Sequence, residues 1–333
     1  MNAATFSHRI HYFFLAACIV YWSAIFAPSP QLAATAQQNF VLHINVSGLR
    51  SRELHDMVSA GKLPNFAQLH SQGAWTHNAR IDADNALWRP NQVSLLTGRP
   101  MLNRFGIPNS GHGWMSDSPP DFNATLHRHV GYYVASTFDV AHDHGLRTGL
   151  YATDHFYGLF KNSLNAANGA LDTVDTDDGF DKIDVYVNAH HDTGYMMSAL
   201  INNLTVAPSN YTFVQFHDLA SVGYQYGWGS QAYKNTLVNV DGWLGEIFNL
   251  VQSNPVLNGA TSIVLTSDRA GSDVGIEALD GVDPLDAANY TVPFFVWGPG
   301  IPQNADLYVL NGLATGLYIG ARLGSGFLVR KSS

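Results

Sequence analysis

From Phe40 onward, short apolar runs rich in β-branched residues alternate with longer segments whose apolar positions recur every three or four residues. The runs suit strands buried on both faces and the periodic segments suit amphipathic helices, so the alternation predicts an α/β fold with a largely parallel central sheet flanked by helices. Strands are expected at Phe40 to Val46, Arg147 to Ala152, Tyr211 to Phe216, Ser262 to Thr266 and Val292 to Trp297. Helices are expected at Ser51 to Ala60, Asn91 to Thr97, Val134 to His144, Thr193 to Leu204 and Gln231 to Val251. In the last of these, Leu237, Val240, Leu244, Ile247 and Val251 form one stripe that can face a sheet. The Gly/Pro/Ser-rich stretch Arg104 to Pro120 and the polar stretch Asn162 to Asp184 read as long loops or a small cap, places where substrate-facing insertions occur. No internal repeat is visible.

The N-terminus follows a different pattern. Arg9 lies in a short polar start, Tyr12 to Ala27 is an apolar run of 16 residues, and Ala34, Thr35 and Ala36 form a small-residue cleavage site. This predicts a signal peptide over 1–36 and a domain over 37–333, exported to the periplasm or the cell exterior. A retained anchor is the alternative, although the run is shorter than the roughly 20 residues that span a bilayer. Lipid attachment at Cys18 would need the apolar run to end there, and it continues. Cys18 is the only cysteine, so the mature fold depends on its core rather than on disulfides.

Composition narrows the function. With 46% apolar and 13% charged residues over 333 positions, the chain can bury the core of one large or two modest domains. A net charge of −9, with no Lys/Arg run, offers no basic surface to a nucleic acid or, after signal cleavage, to an anionic membrane. A small anion or a protein is the expected partner.

Five segments carry chemistry: VLHINVSGLR (41–50), WRPNQVSLLTGRP (88–100), HDLASVGYQYGWGSQAYKNTLVNVDGWLG (217–245), SIVLTSDRAG (262–271) and YTVPFFVWGPGI (290–301). Four of them place residues just beyond an expected strand or turn: Ser47, the turn before Trp88, His217 to Tyr224, and Asp268 with Arg269. Ligands of open α/β sheets bind at such carboxyl ends. In order and spacing the segments resemble the alkaline phosphatase superfamily, nearest its nucleotide pyrophosphatase/phosphodiesterase branch. The resemblance implies an alkaline-phosphatase-like fold and, in the family, two zinc-like divalent metals roughly 4 Å apart that activate a Ser or Thr oxygen.

Carried over position by position, the resemblance predicts a degenerate site. Ser47 stands where the family has its first aspartate ligand. Trp88, before Arg89, Pro90 and Asn91, stands at the nucleophile, and an indole has no nucleophilic oxygen. Ala220 and Tyr224 replace an aspartate and a histidine, and Asp218 matches an acidic position upstream of the ligand. Asp268 is kept, but Arg269 replaces the histidine beside it, and a fixed positive charge repels a cation. The family's last histidine has no counterpart, because no histidine follows His217. Asp268 alone cannot hold a catalytic zinc, so no metal cofactor is expected. The end of the chain, GLATGLYIGARLGSGFLVRKSS, also departs from the family pattern and reads as truncated or altered.

Other groupings are weaker. His142 with His144, His127 with His129, and His190 with His191 and Asp192 have spacings that turn the rings apart, and no GxSxG elbow occurs. Arg269 has two readings: an internal ion pair with Asp268, or, with Arg89, an oxyanion pocket. Trp88 and Tyr224 either wall that pocket or plug it. The expected function is therefore that of an exported, phosphodiesterase-like protein without metal-dependent hydrolysis, a pseudoenzyme or binding module. The alternative is an active phosphoric ester hydrolase whose ligands lie elsewhere.

Overall fold

A computed structural model describes residues 39–82, 87–118, 120–121, 124–162, 182–271 and 287–310. The expectations for the signal peptide, the altered C-terminal end and most of the Asn162 to Asp184 loop lie outside the described residues.

In chain order the elements are β1 (Phe40–Val46), α1 (Ser51–Ser59), α2 (Pro64–Gln72), β2 (Ala74–Arg80), α3 (Trp88–Thr97), α4 (Leu126–Val130) and α5 (Thr137–His142). There follow β3 (Thr148–Ala152), a 3-10 turn at His155–Tyr157 leading into α6 (Gly158–Asn162), β4 (Val185–Asn188), α7 (Thr193–Val206), β5 (Tyr211–Phe216) and α8 (Asp218–Tyr226). The last are α9 (Gln231–Ser253), β6 (Thr261–Thr266), α10 (Ala287–Tyr290), β7 (Thr291–Trp297), β8 (Ala305–Asp306) and α11 (Leu307–Leu310). The strands form one sheet in the order β4-β3-β5-β1-β6-β7-β2-β8.

The sheet is parallel from β4 to β6. β7 runs against β6, and β2 runs against β7, so β2 points the same way as β1. The sequence reading missed β2, yet this double inversion brings the end of β2, and hence the entry to α3, to the same sheet edge as the ends of β1, β5 and β6.

Both faces of the sheet are buried. On one face Leu42, Ile44 and Val46 of β1 and Val214 and Phe216 of β5 pack with α1, α2, α7 and α9. Tyr211 and Phe213 of β5 look the other way, into a cluster with α3, α5 and α6. The expected α9 stripe is buried from Leu237 to Val251, each such Leu or Ile contributing about 2 kcal/mol. α2 has no capping side chain of its own at Leu63. Instead, Asp241 of α9 accepts from the backbone N–H groups of Asn65 and Phe66 and from the Asn65 side chain, supplying the oxygen that a helix start requires.

Two helices, α3 and α5, differ from the sequence expectation by three residues or more at an end, and α8 adds a helix to it. α3 starts at Trp88 rather than Asn91, because Pro90 is tolerated in a first turn, where no N–H is needed. α5 spans only Thr137–His142; a capping box between Ser136 and Asp139 fixes its start. α8 was not anticipated, since its core face is made of small residues such as Ala220 and Gly223. Among the described residues no helix is long and apolar enough to cross a membrane.

Candidate functional site

Ser47 lies just past β1, His217 past β5 and Asp268 past β6, so the carboxyl ends of neighbouring strands deliver the sequence-predicted positions to one place. Asp268 is fully buried. Its Oδ2 accepts from Gln92 Nε2 at 2.7 Å and from the Ser47 hydroxyl at 3.1 Å, and its backbone N–H donates to Asn45 Oδ1 at 3.0 Å. Burial pushes its pKa up to about 6, against the Gln92, Ser47 and Asn45 hydrogen bonds and the Arg269 charge, which favour the carboxylate. Ser47 and Asp268 thus form a hydroxyl–carboxylate pair, but neither is exposed.

Arg269 does not pair with Asp268, and the ion-pair reading is corrected here. The buried guanidinium turns to α8, where Nη1 donates to the Tyr224 hydroxyl, and Nε donates to the Ala270 carbonyl. Its charge lies 5.0 Å from the centre of the Tyr224 ring and 5.6 Å from that of Trp228, a cation–π arrangement. Nη2 is buried without a partner among the described residues.

Trp228 is the residue that sequence reasoning missed. Its indole lies in a cradle of three glycines, one from each of three motif segments. A methyl group placed on Gly271 would stand 1.9 Å from it, on Gly223 2.4 Å and on Gly48 2.9 Å. Such distances are impossible for packed carbons, so only glycine at these points admits the ring. Ala220 is buried beside the cradle, its backbone 3.0 Å from where a Gly48 side chain would begin.

The second half of the site is built from α3. Trp88 packs on the His217 ring at 4.8 Å, and the Arg89 guanidinium lies 4.5 Å from the Trp88 ring and 5.5 Å from Phe156. The Arg89 backbone N–H donates to Asp117 at 2.9 Å, while its Nε is buried without a partner among the described residues. Burial lowers the His217 pKa to about 4, although the Asp154 charge opposes this. Arg89 and Arg269 both act electrostatically on Tyr224, Asp117 and His217, so the two guanidinium groups share one neighbourhood. His191 reaches it as well, its ring 5.9 Å from His217.

Three of the other histidines that the sequence singled out have structural partners. His127 Nδ1 accepts from the Val134 N–H, His129 packs on Trp114, and His144 meets the Val140 carbonyl. Among the described residues no three His, Cys, Asp or Glu side chains are grouped so as to hold a metal ion. Among the described residues Asp268 has the Ser47 hydroxyl, the Tyr224 phenol and the Arg269 guanidinium around it, while Asp117, Asp154, His191 and His217 lie about Arg89, and no three of these carboxylates and imidazoles are grouped as a divalent-cation site requires.

Residues 41–289 match the family described as Type I phosphodiesterase / nucleotide pyrophosphatase. No curated protein matches the sequence. Among solved structures, human ectonucleotide pyrophosphatase / phosphodiesterase 5 is similar at 13% identity and TM-score 0.54, over 84% of this chain and 96% of that one. A protein of the alkaline phosphatase superfamily from Vibrio parahaemolyticus is similar at 14% identity and TM-score 0.51, over 84% and 67%. The murine ectonucleotide pyrophosphatase / phosphodiesterase 5 aligns at 16% identity and TM-score 0.48 over 71% of this chain, which spans 59% of the length of that protein. At such identities the likeness is one of fold: mixed α/β, with a mostly parallel sheet flanked by helices.

Proposed function

We propose that this chain, which belongs to the Type I phosphodiesterase / nucleotide pyrophosphatase family, is an exported member that does not hydrolyse phosphoric esters and instead binds a small oxyanion at the edge of its sheet. The observation that carries the reading is the pair of buried guanidinium nitrogens without partners among the described residues, Arg89 Nε and Arg269 Nη2. An unsatisfied buried donor is costly, more so when it bears charge. Phosphate or sulfate oxygens would satisfy both through charge-assisted bonds. Trp88, Tyr224 and Trp228 fill much of the surrounding space, which favours a compact anion over a bulky ester. The hydrolase alternative has less support, because position 88 offers no attacking oxygen and the donors around Asp268 do not suit metal.

The test is thermal. Phosphate or sulfate should raise the melting temperature relative to chloride at matched ionic strength, by the equivalent of about 2.7 kcal/mol at a hundredfold excess over Kd. The response should disappear in Arg269→Ala, judged against that variant's own baseline, and weaken with salt. No anion response in the unmutated protein would reject the pocket, and turnover of a chromogenic phosphodiester would reject the inactive reading. Export makes a separate expectation: material recovered outside the cytoplasm should begin near Gln37, with Cys18 removed.

A further inference from the structure

The segment between α3 and α4 carries an apolar tip that is held out from the fold rather than packed into it. Phe105 is 106% exposed, Ile107 53% and Leu102 50%. The backbone beneath them is tied down. The Ser110 hydroxyl accepts from the Arg104 N–H at 2.7 Å and donates to the Ile107 carbonyl at 2.8 Å. Arg99 Nη1 donates to the Asn109 carbonyl, and Asn103 Oδ1 accepts from the Gly111 N–H. Further up, the His112 and Gly113 N–H groups bond to the Pro100 and Met101 carbonyls. With its polar groups used internally, the loop presents three large apolar side chains in a fixed arrangement, which marks an interaction surface. Residues 98–116 also contain Arg99 and Arg104 and no acidic residue, in a chain whose net charge is −9.

A surface of opposite character lies elsewhere on the same chain. A groove of about 400 Å³ runs beside α9, lined by Val238, Trp243, Glu246, Asn239, Asp218 and Thr193. Val238 is exposed and the Trp243 ring half-buried. The Thr193 hydroxyl donates to Asp218, fixing one carboxylate at the wall, and Glu246 is exposed on the other side. Its size is that of pockets that enclose a small ligand or a protruding side chain, roughly 300 to 1,000 Å³.

We propose that the Leu102–Phe105–Ile107 tip docks into the α9 groove of a second copy of this chain. Both halves of the match are present: an aromatic anchor with a neighbouring arginine, and a groove that mixes Val238 and Trp243 with the carboxylates of Asp218 and Glu246. Central aromatic and arginine residues supply most of the energy of such interfaces, and paired charges set their register. Reciprocal docking would close a two-fold dimer, whereas one-way docking would extend head to tail. The proposal does not depend on the oxyanion reading, since neither surface includes Arg89 or Arg269.

Sedimentation equilibrium of the full chain over a rising concentration series tests it. The apparent mass should climb toward twice that of one chain or beyond, and Phe105→Asp should weaken association about thirtyfold or more. Arg104→Glu and Glu246→Arg, both at exposed positions, should each weaken association, while the combined variant should recover most of it. Melting temperatures of the variants separate loss of contact from loss of fold. A single-copy mass at every concentration overturns the proposal, as does a combined variant no better than its parents. Phe105-dependent binding to phosphatidylcholine/phosphatidylserine vesicles without self-association would also overturn it and assign the tip to a bilayer.

Discussion

Asp268 and Arg269, adjacent in the chain, turn away from each other: the carboxylate accepts from Gln92 and Ser47, and the guanidinium donates to Tyr224. Neither neutralises the other directly. The carboxylate sits on the β1 and α3 side and the arginine on the α8 side, so the two charges belong to separate hydrogen-bond systems within one site.

The protein should hold no stoichiometric zinc. After dialysis against micromolar zinc, elemental analysis is expected to find well under one ion per chain, because Ser47, Ala220, Tyr224 and Arg269 supply no imidazole or carboxylate beside Asp268. Two tightly held ions would show that other residues form the metal site.

Trp88→Thr should restore a hydroxyl without restoring turnover. The indole is half-buried against His217 and Arg89, so its removal should cost about 2 kcal/mol, less than a fully buried ring. Chemical unfolding measures the cost, and a chromogenic phosphodiester measures the absence of catalysis. Diesterase activity from this one change would contradict the proposed loss of chemistry.

Gly223→Ala should destabilise by about 1 to 3 kcal/mol through overpacking, because the new methyl would stand 2.4 Å from Trp228. Trp228→Leu should lower that penalty when the two changes are combined. Equal penalties in both backgrounds would mean that the ring does not fill the cradle.

The pH dependence of stability has two opposing sources here. The folded-state pKa of Asp268 is raised to about 6, above its unfolded value, so the folded chain holds a proton that the unfolded chain lacks between about 4 and 6. Its contribution is fully present below that window and is lost as pH rises through 6. Asp268→Asn should therefore stabilise relative to the parent at pH 7, with the gain shrinking toward pH 4. Four histidines work in the other direction: His43, His77 and His217, lowered to about 4, and His112, lowered to about 3, since the unfolded chain takes up protons below 6.5 that the folded chain refuses. Urea unfolding across this range reads both effects.

Asp241→Ala should cost about 2 to 3 kcal/mol, because it strips the N-terminus of α2 of the carboxylate that accepts from Asn65 and Phe66. Circular dichroism melts would register the loss, and Asp241→Asn, which keeps one acceptor oxygen, should recover part of it.

The sequence was most legible where burial is two-sided. β1, β5, β6 and β7 are continuous apolar runs because helices or other side chains cover both faces. β2 was hidden: AWTHNAR mixes half-exposed polar residues and has an irregular register between Thr76 and Ala79. β4 and β8 are only four and two residues long, too short for any period to emerge. At the sheet edge, the positions of Ser47, Trp88, Tyr224, Asp268 and Arg269 were legible, because each sits at a fixed offset from a local motif. Their partners were not, since proximity in sequence suggested pairing Asp268 with Arg269, whereas neighbouring side chains at a strand end point in opposite directions. Trp228 left a faint trace, lying in the run of glycines from Gly223 to Gly229, but its seat needs Gly48 and Gly271 from distant parts of the chain.

The glycine-lined seat of Trp228 acts as a ratchet on what this protein can become. Removing the indole would empty the seat and take away the ring that lies near the buried Arg269 charge. Exchanging Arg269 first would leave the Tyr224 hydroxyl and the aromatic seat without their cation, and exchanging Trp88 first would unstack His217 and Arg89. On the proposed reading, each single step would pass through a less stable chain before any chemistry is gained, so routes to a metal-loaded descendant would need several simultaneous changes. Variation at the surface, including the loop tip at Phe105, meets no such barrier.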